Sequence, residues 1–318
     1  MPVTAPAQRP SPKKAKRGSR GRSILAVLLV LAGVLVMMYP VAATQLSNYH
    51  QAQVANEYSD LVKVAPPQSR DAELKAAEEY NAEHTAGVPK VDPWQGRVDP
   101  SDVGYQQYLQ TLRVEGTEED AAISQIRIPS INVNLPIFHG TDPDTLERGV
   151  GHLYGTSLPV GGPGTHSVLT GHTGITKATL FDNLTKVKEG DVFYLNTMGR
   201  KMKYQVDQIK VVLPDQIDDI APIADRDLAT LITCTPYGIN SHRLLVRGTR
   251  VPMDPDEEEE AFRQSSGIQW TWWMILAVSV LGIMLLVLLL LTLSVILRKF
   301  RQKNVKESKK LESSADES

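Results

Sequence analysis

A long uncharged apolar run near the end of the chain limits the folds open to this sequence more than any other feature. Residues 268–297 contain no charged side chain, and the run opens with three tryptophans. A helix rises ~1.5 Å per residue, so this run exceeds the ~30 Å thickness of a bilayer's hydrocarbon core. Tryptophan favours the membrane interface, and the basic pair Arg298 and Lys299 that follows is typical of the cytoplasmic side. We therefore predict a transmembrane helix here and a cytoplasmic tail over residues 298–318.

A second apolar run lies near the start of the chain. Residues 24–43 are almost uncharged and follow a basic segment, residues 1–23, whose composition predicts a disordered cytoplasmic tail. The run is long enough for a membrane anchor, and the small residues Val41, Ala42 and Ala43 leave a cleavable signal peptide as the alternative. Both charge asymmetries agree, so we expect a two-span membrane protein whose segment between the spans is extracellular.

The charges are segregated along the chain. Residues 1–23 carry seven Lys and Arg and no acid, and residues 298–318 carry seven against four acids. Removing these from 34 basic and 36 acidic residues leaves 20 against 32, a net charge of −12. The extracellular part therefore lacks the basic surface of a nucleic-acid-binding protein. Its most acidic stretch lies within residues 253–267, which we predict to be a solvated acidic linker.

The extracellular part changes character near residue 123. In residues 44–122, apolar positions such as Leu74, Ala77 and Tyr80 repeat at helical spacing, which predicts N-terminal helices, and residues 87–102 contain three prolines and read as a loop. Residues 123–252 instead hold short alternating segments separated by Gly and Pro. Seven are visible, at residues 126–128, 133–135, 166–170, 191–195, 202–212, 229–233 and 243–251. This spacing predicts a mainly β domain folded as a closed or nearly closed barrel.

Cys234 is the single cysteine of the chain. A lone cysteine forms no internal disulfide, so it is either a buried apolar residue or a reactive thiol. Pro236 and Gly238 end the strand before it, and a hairpin return would bring Arg243 beside the sulfur. A guanidinium there favours the thiolate or stabilises an oxyanion. The gap of nine residues between Cys234 and Arg243 suits a hairpin and not the tight phosphate-binding loop of cysteine phosphatases.

These residues resemble a known family. Residues 230–234 (TLITC) with Arg243 are similar to the signature of sortases, the cell-surface cysteine transpeptidases of Gram-positive bacteria, and residues 169–174 (LTGHTG) resemble their histidine motif. The similarity extends from about residue 126 to residue 251. It implies an eight-stranded sortase-like β-barrel, preceded by the N-terminal helices and flanked by the two transmembrane helices.

The resemblance assigns three catalytic roles. Attack of a thiol on a carbonyl needs a thiolate, a group that stabilises the oxyanion and a proton donor for the departing amine. We assign these roles to Cys234, Arg243 and His172, respectively. Only the motif distinguishes His172 from the chain's other histidines, for which a hydrogen-bonded structural role is an equally good interpretation. No zinc-ligand spacing is present, and we expect neither a metal nor an organic cofactor.

Residues 92–94 (DPW) form a second candidate functional element. Trp94 is the only tryptophan outside the second apolar run, and such a loop tryptophan commonly packs against its own domain. Class C sortases, which polymerise pilins, carry a flexible lid with an Asp-Pro-aromatic motif over the active site. The resemblance thus implies that Trp94 covers Cys234 and that Asp92 approaches Arg243, and it favours class C.

The sequence as a whole predicts a membrane-anchored class C sortase. By resemblance, it cleaves an LPXTG-type sorting signal through a thioacyl-enzyme and transfers the acyl group to a pilin lysine. Its expected partners are pilin or surface-protein substrates and membrane lipid, without nucleic acid. Two alternatives remain at this point. One is a sortase that anchors surface proteins to the cell-wall peptide cross-bridge, and the other is a membrane-tethered β-barrel that binds partners without catalysis.

Overall fold

The computed structural model describes residues 19–84, 98–99, 101–175, 177–216, 218–263 and 267–315. The chain divides into two compact units. Residues 40–276 form the larger unit, and residues 1–39 with residues 277–318 form the other. The larger unit contains every strand described below, and therefore all of the catalytic residues predicted from the sequence.

Eight strands close into a barrel. They are β1 (Ser124–Ile128), β2 (Val133–His139), β3 (Val150–His152), β4 (Thr165–Thr170), β5 (Val192–Thr197), β6 (Arg200–Val212), β7 (Asp227–Thr235) and β8 (His242–Val251). Their order around the barrel is β1-β2-β3-β4-β7-β8-β6-β5. The predicted closed β-barrel is confirmed. The alternating segments predicted every strand except β3, because three residues are too few to show a period of two.

Two strand pairs are parallel, and one of them determines where the catalytic residues meet. Strand β4 runs parallel to β7, from the pair Thr165 and Asp227 to the pair Thr170 and Ile232. The carboxyl ends of both strands therefore lie at the same end of the barrel. The barrel interior is filled by buried aliphatic and aromatic side chains, among them the stacked rings of Phe193 and Tyr204, whose centroids are 5.4 Å apart.

Three helices precede the barrel: α1 (Ser19–Val64), α2 (Pro67–His84) and α3 (Val103–Leu109). The first apolar run and the first predicted extracellular helix are one continuous helix, with Pro40 inside it. Tyr58 of α1 ties this helix to the barrel, since its hydroxyl donates to the carbonyl of Ile123 (2.7 Å) and accepts from the amide of Met198 (2.9 Å). Beyond the loop at residues 140–142, the short helix α4 (Pro143–Arg148) connects β2 to β3.

The acidic run after the barrel differs from its prediction as a solvated linker. It forms the helix α5 (Pro255–Ala261), and two of its carboxylates contact the barrel surface. Glu257 accepts from the hydroxyl of Tyr194 (2.7 Å) and pairs with Lys203 (2.5 Å), and Glu258 pairs with Lys201 (2.9 Å). The reason is charge complementarity with two lysines on β6, which no local pattern in the acidic run reveals.

Within the described residues, two helices are long and apolar enough to cross a membrane. Their candidate spans are Val27–Val64 and Trp272–Arg298, the latter within the C-terminal helix α6 (Trp272–Ala315). Few side chains in either apolar stretch are covered by protein. An apolar helix without a protein partner fits a lipid environment, so this observation is consistent with the two predicted spans.

Candidate active site

Cys234 and Arg243 lie opposite each other on neighbouring strands. The antiparallel register of β7 and β8 pairs the two residues directly. Side chains of directly opposed residues point to the same face of a sheet, and their Cβ atoms are about 4.5–5.5 Å apart. The hairpin predicted from the sequence is confirmed, and it brings the thiol and the guanidinium together.

The loop between these strands holds the guanidinium of Arg243 in place. Its Nη1 donates to the backbone carbonyls of Asn240 (3.1 Å) and His242 (3.2 Å), and the side chain is only 7% exposed. The loop is closed in turn by Pro236, whose carbonyl accepts from the amides of Ile239 (3.0 Å) and Asn240 (2.9 Å). Both acceptors lie at the junction of this loop with β8, so the local chain path helps to orient the guanidinium.

His172 follows β4 directly and reaches the same end of the barrel. The amide of Gly171 donates to the carbonyl of Ile232 (3.0 Å), and the hydroxyl of Thr233 donates to the carbonyl of Gly171 (2.8 Å). These bonds continue the parallel pairing beyond the end of β4. His172 therefore lies level with the end of β7 that carries Cys234, so the fold brings the three predicted catalytic residues to one place.

The loop that carries His172 is tightly packed on its inner side. The amide of Phe181 donates to the carbonyl of His172 (3.1 Å), and the Phe181 ring lies against Gly171. A Cβ atom added at Gly171 would come within 2.6 Å of that ring. A larger residue at position 171 would displace either the ring or the histidine loop, which explains why glycine precedes the histidine here.

Burial and one carboxylate shift the pKa of His172 in opposite directions. Partial burial lowers the pKa of His172 below its usual value, and the negative charge of Glu147 on α4 acts to raise it. Burial is the larger effect, so the imidazole is mainly neutral near neutral pH. A neutral imidazole is able to accept a proton from a thiol or an amine.

Asp182 is a site residue that the sequence reasoning missed. It lies in the short 3₁₀ turn Asp182–Lys186, and its Oδ1 accepts from the amide of Gly174 (2.7 Å) and the hydroxyl of Thr173 (3.0 Å). Burial raises the pKa of Asp182 to about 6, although the two hydrogen bonds oppose this shift. Asp182 thus anchors the two residues that follow His172. No local motif marks it in the sequence, because the contact forms only when the loop folds back.

Two other histidines of the barrel, His152 and His166, have structural partners. Nδ1 of His152 contacts the Tyr108 hydroxyl (2.9 Å) and its Nε2 contacts the Ser157 carbonyl (2.8 Å). Nε2 of His166 contacts the Thr230 hydroxyl (2.7 Å) and its Nδ1 contacts the carbonyl of Ala221 (3.0 Å). Both side chains are buried, and both ring nitrogens of each have partners inside the protein, so these two histidines have structural roles.

Two further expectations concern the lid and metals. Asp92 and Trp94 belong to residues 85–97, which lie outside the described residues, so the lid remains a prediction. Across the described ranges, no group of three or more His, Cys, Asp or Glu side chains is arranged to hold a metal ion. The polar groups gathered at Cys234 are suited to nucleophilic acyl transfer, as the predicted roles require.

Comparison with known proteins agrees with this geometry. The family described as "Sortase domain" matches residues 126–251. The crystal structure of sortase C-1 from Actinomyces oris is 53% identical, with a TM-score of 0.55 over 59% of this chain and 100% of that chain. Sortase C from Streptococcus pneumoniae is 38% identical, with a TM-score of 0.56 over 63% of this chain and 97% of that chain. Among curated relatives, sortase D of Bacillus subtilis is 31% identical over 42% of this chain and 66% of its own length.

The chain belongs to the sortase family of cysteine transpeptidases. The resemblance stated from the sequence is confirmed, including the presence of class C enzymes among the structural neighbours. The matched region contains Cys234, His172 and Arg243, and it extends over the whole barrel from β1 to β8. The non-catalytic binding module is therefore no longer a competing interpretation.

Proposed function

We propose that this protein is a class C sortase that joins pilin subunits at the outer face of a Gram-positive membrane. The observation that carries the proposal is the convergence of Cys234, Arg243 and His172 at one end of a sortase barrel. The choice of class C rests on residues 92–94 and on similarity to sortase C of S. pneumoniae, a protein described in terms of pilin substrate specificity.

The first half of the proposed reaction cleaves the sorting signal. The sulfur of Cys234 attacks the threonine carbonyl of an LPXTG-type peptide while His172 accepts the thiol proton. Arg243 stabilises the resulting oxyanion, since a guanidinium already oriented by two carbonyls reorganises little during the step. The C–N bond to glycine then breaks, His172 returns the proton to the departing amine, and a thioester remains on Cys234.

The second half transfers the acyl group to an amine. A neutral lysine amine attacks the thioester carbonyl, and His172 accepts the amine proton as the new C–N bond forms. The C–S bond breaks, and the proton passes to the Cys234 thiolate, which restores the starting enzyme. Because its pKa is lowered, His172 is mainly neutral at pH 7 and is available to accept a proton at the start of both halves.

A sharp test separates acylation from the choice of acceptor. The full chain in detergent is incubated with an LPXTG peptide, and mass spectrometry measures the thioester. Products are then compared with a pilin-derived lysine peptide and with a cell-wall cross-bridge peptide as acceptors. We expect a thioester in the wild type, none in Cys234→Ala, and faster transfer to the pilin lysine. Preferential transfer to the cross-bridge amine would make this protein a cell-wall anchoring sortase instead.

We also propose that residues 92–94 act as a lid over Cys234. Such a lid would rest on one tryptophan ring and one ion pair with Arg243, so that few contacts hold it closed. The double variant Asp92→Ala, Trp94→Ala should therefore react faster with a thiol reagent and hydrolyse free sorting peptide faster. Equal thiol reactivity in the double variant and the wild type would show that these residues do not cover Cys234.

The proposed location is the cell membrane, with both tails inside and the barrel outside. Cysteine tags in either tail should be shielded from impermeant reagents on intact cells, whereas a tag at Asp256, an exposed position of α5, should react. A reactive tag in the C-terminal tail would contradict the two-span topology.

A further inference from the structure

The segment just before the C-terminal membrane helix packs against the catalytic domain. Residues 267–274, here called the juxtamembrane segment, have buried and exposed side chains in near alternation. Its backbone is bound at three points by side-chain amides of the larger unit. Nε2 of Gln45 donates to the carbonyl of Gln269, and the Nδ2 atoms of Asn132 and Asn183 donate to the carbonyls of Ile268 and Trp270. The segment lies in the same compact unit as the barrel and is a part of it, not a free tether.

The same segment contacts the loop that follows the nucleophile. Tyr237 lies three residues after Cys234, and its ring meets that of Trp272 edge to face, with centroids 6.4 Å apart. The hydroxyl of Tyr237 also shares a hydrogen bond with Trp273, whose indole nitrogen is a donor only. The loop beside the catalytic thiol and the entry to the membrane helix are thus in direct contact.

Apolar side chains on both elements face outward. We call Tyr237, Ile239, Ile268, Trp270 and Trp272 the aromatic rim; their exposed fractions are 41%, 72%, 44%, 48% and 62%. Single exposed apolar residues are common on protein surfaces, whereas a contiguous apolar patch usually marks a binding surface. Exposure of this size therefore indicates that the aromatic rim has a partner.

The chemistry of the rim indicates its partner. Neither residues 235–241 nor residues 267–273 contain a charged side chain, although the chain between the two tails carries a net charge of −12. Tryptophan and tyrosine prefer the interface between lipid headgroups and acyl chains. The rim is also continuous in sequence with the candidate span that begins at Trp272.

We infer that the aromatic rim rests in the lipid interface of the membrane that α6 enters, so that the Cys234 site opens at the membrane surface. Tyr237 and Ile239 belong to the loop between β7 and β8 and not to the span, so their contact with lipid would place the barrel itself against the membrane. A membrane-bound sorting signal would reach such a site without leaving the lipid surface. The inference rests on the proposed membrane location, and its test is separate from the test of catalysis.

Spin labelling of the full chain in nanodiscs tests the inference directly. In a Cys234→Ser background, a label is attached at Ile239→Cys and, as the matched control, at Ile223→Cys, an exposed isoleucine in the loop before β7, at the end of that strand opposite Cys234. Collision with oxygen should be higher, and collision with a water-soluble nickel complex lower, at position 239 than at position 223. Equal nickel accessibility at the two positions would overturn the inference. Shielding of position 239 from both reagents would also overturn it and would indicate a protein partner or a second copy on the rim.

A functional measurement provides the second line of evidence. Ile239→Gln and the control Ile223→Gln are each compared with the wild type on a free sorting peptide in detergent and on a lipid-tethered sorting peptide in liposomes. Ile239 contributes only its backbone amide to the turn, and its side chain is exposed, so Ile239→Gln should acylate the free peptide normally. It should acylate the tethered peptide roughly three- to tenfold more slowly, whereas Ile223→Gln should match the wild type on both. Equal rates for Ile239→Gln and wild type on the tethered peptide would contradict the inference. Absence of any thioester in the wild type would instead refute the proposed function and leave the labelling result valid.

Discussion

Burial lowers the pKa of both His152 in β3 and His172 in the loop after β4, but the two side chains have different surroundings. His152 pairs with Leu169 of β4, three residues before His172 in the chain. Both nitrogens of His152 are occupied by Tyr108 and Ser157 inside the protein, and burial lowers its pKa to about 4. His172 is only partly buried, lies on a loop beside Cys234 and interacts with the charge of Glu147.

The comparison shows that the surroundings of a histidine decide whether its role is structural or catalytic. A histidine with both nitrogens saturated in the interior gains stability only while it is neutral, and it has no geometry for proton transfer. His172 follows the end of a strand and is held through its backbone and through the residues that follow it, so its position beside the end of β7 is defined. Exchange of protons with a substrate requires the second arrangement.

The same substitution at both histidines tests whether one is catalytic and the other structural. His172→Gln should reduce acyl transfer by ~10²–10⁴-fold with little change in thermal midpoint, because proton transfer is lost and the loop contacts remain. His152→Gln should lower the thermal midpoint while the folded fraction keeps near-normal turnover. Turnover per folded molecule and melting curves are the two readouts. A large turnover loss in folded His152→Gln would erase the distinction between the two histidines.

Arg243→Lys tests whether the catalytic region depends on geometry or only on charge. Lysine keeps the positive charge but lacks the planar fork that donates to Asn240 and His242. We expect a loss of about 10²-fold in acylation rate. The exposed Arg263, which pairs with Glu260, offers the matched substitution Arg263→Lys, which should have no effect. Near-normal acylation by Arg243→Lys would leave Arg243 with a purely structural role.

The pH dependence of stability should identify the buried histidine. The pKa of His152 in the folded protein is about 4, against 6.5 for an ordinary histidine, so the unfolded state binds the proton first as pH falls. Stability should therefore be complete above about pH 6.5 and decrease by up to ~3 kcal/mol as the pH falls towards 4. Thermal midpoints in detergent at pH 7.5 and pH 4.5 measure this decrease. His152→Gln should reduce the decrease, and the remainder should come from His139, His166 and His172, whose pKa values burial also lowers. An unchanged pH dependence in the variant would contradict the assignment.

Asp182 provides the smallest and most specific effect. Asp182→Asn keeps an acceptor for Gly174 and Thr173 but replaces charged hydrogen bonds with neutral ones, which costs about 1 kcal/mol of loop order. Above pH 6, where the wild-type carboxyl is ionised, turnover should decrease about fivefold, and below pH 6 the two proteins should converge. Asp191→Asn, which changes a carboxylate that caps a turn at Lys188, is the control. A pH-independent loss in Asp182→Asn would indicate only a general structural defect.

The sequence by itself determined the two apolar runs, the change from helical to alternating segments, and the motifs that contain Cys234 and His172. These features are local: composition decides membrane compatibility, and a period of two decides strand structure over five or more residues. The hairpin between Cys234 and Arg243 was also predictable, because Pro236 and Gly238 end one strand shortly before the next begins.

Tertiary structure alone decided which residues support these motifs. The anchor at Asp182, the charge at Glu147 and the contact of Tyr237 with Trp272 join segments that no sequence period relates. The short strand β3 and the carboxylates of α5 that bind the barrel lysines belong to the same group. Each depends on a parallel or long-range pairing that brings distant segments together, and the energy of such a contact exists only after the chain has closed the intervening loop.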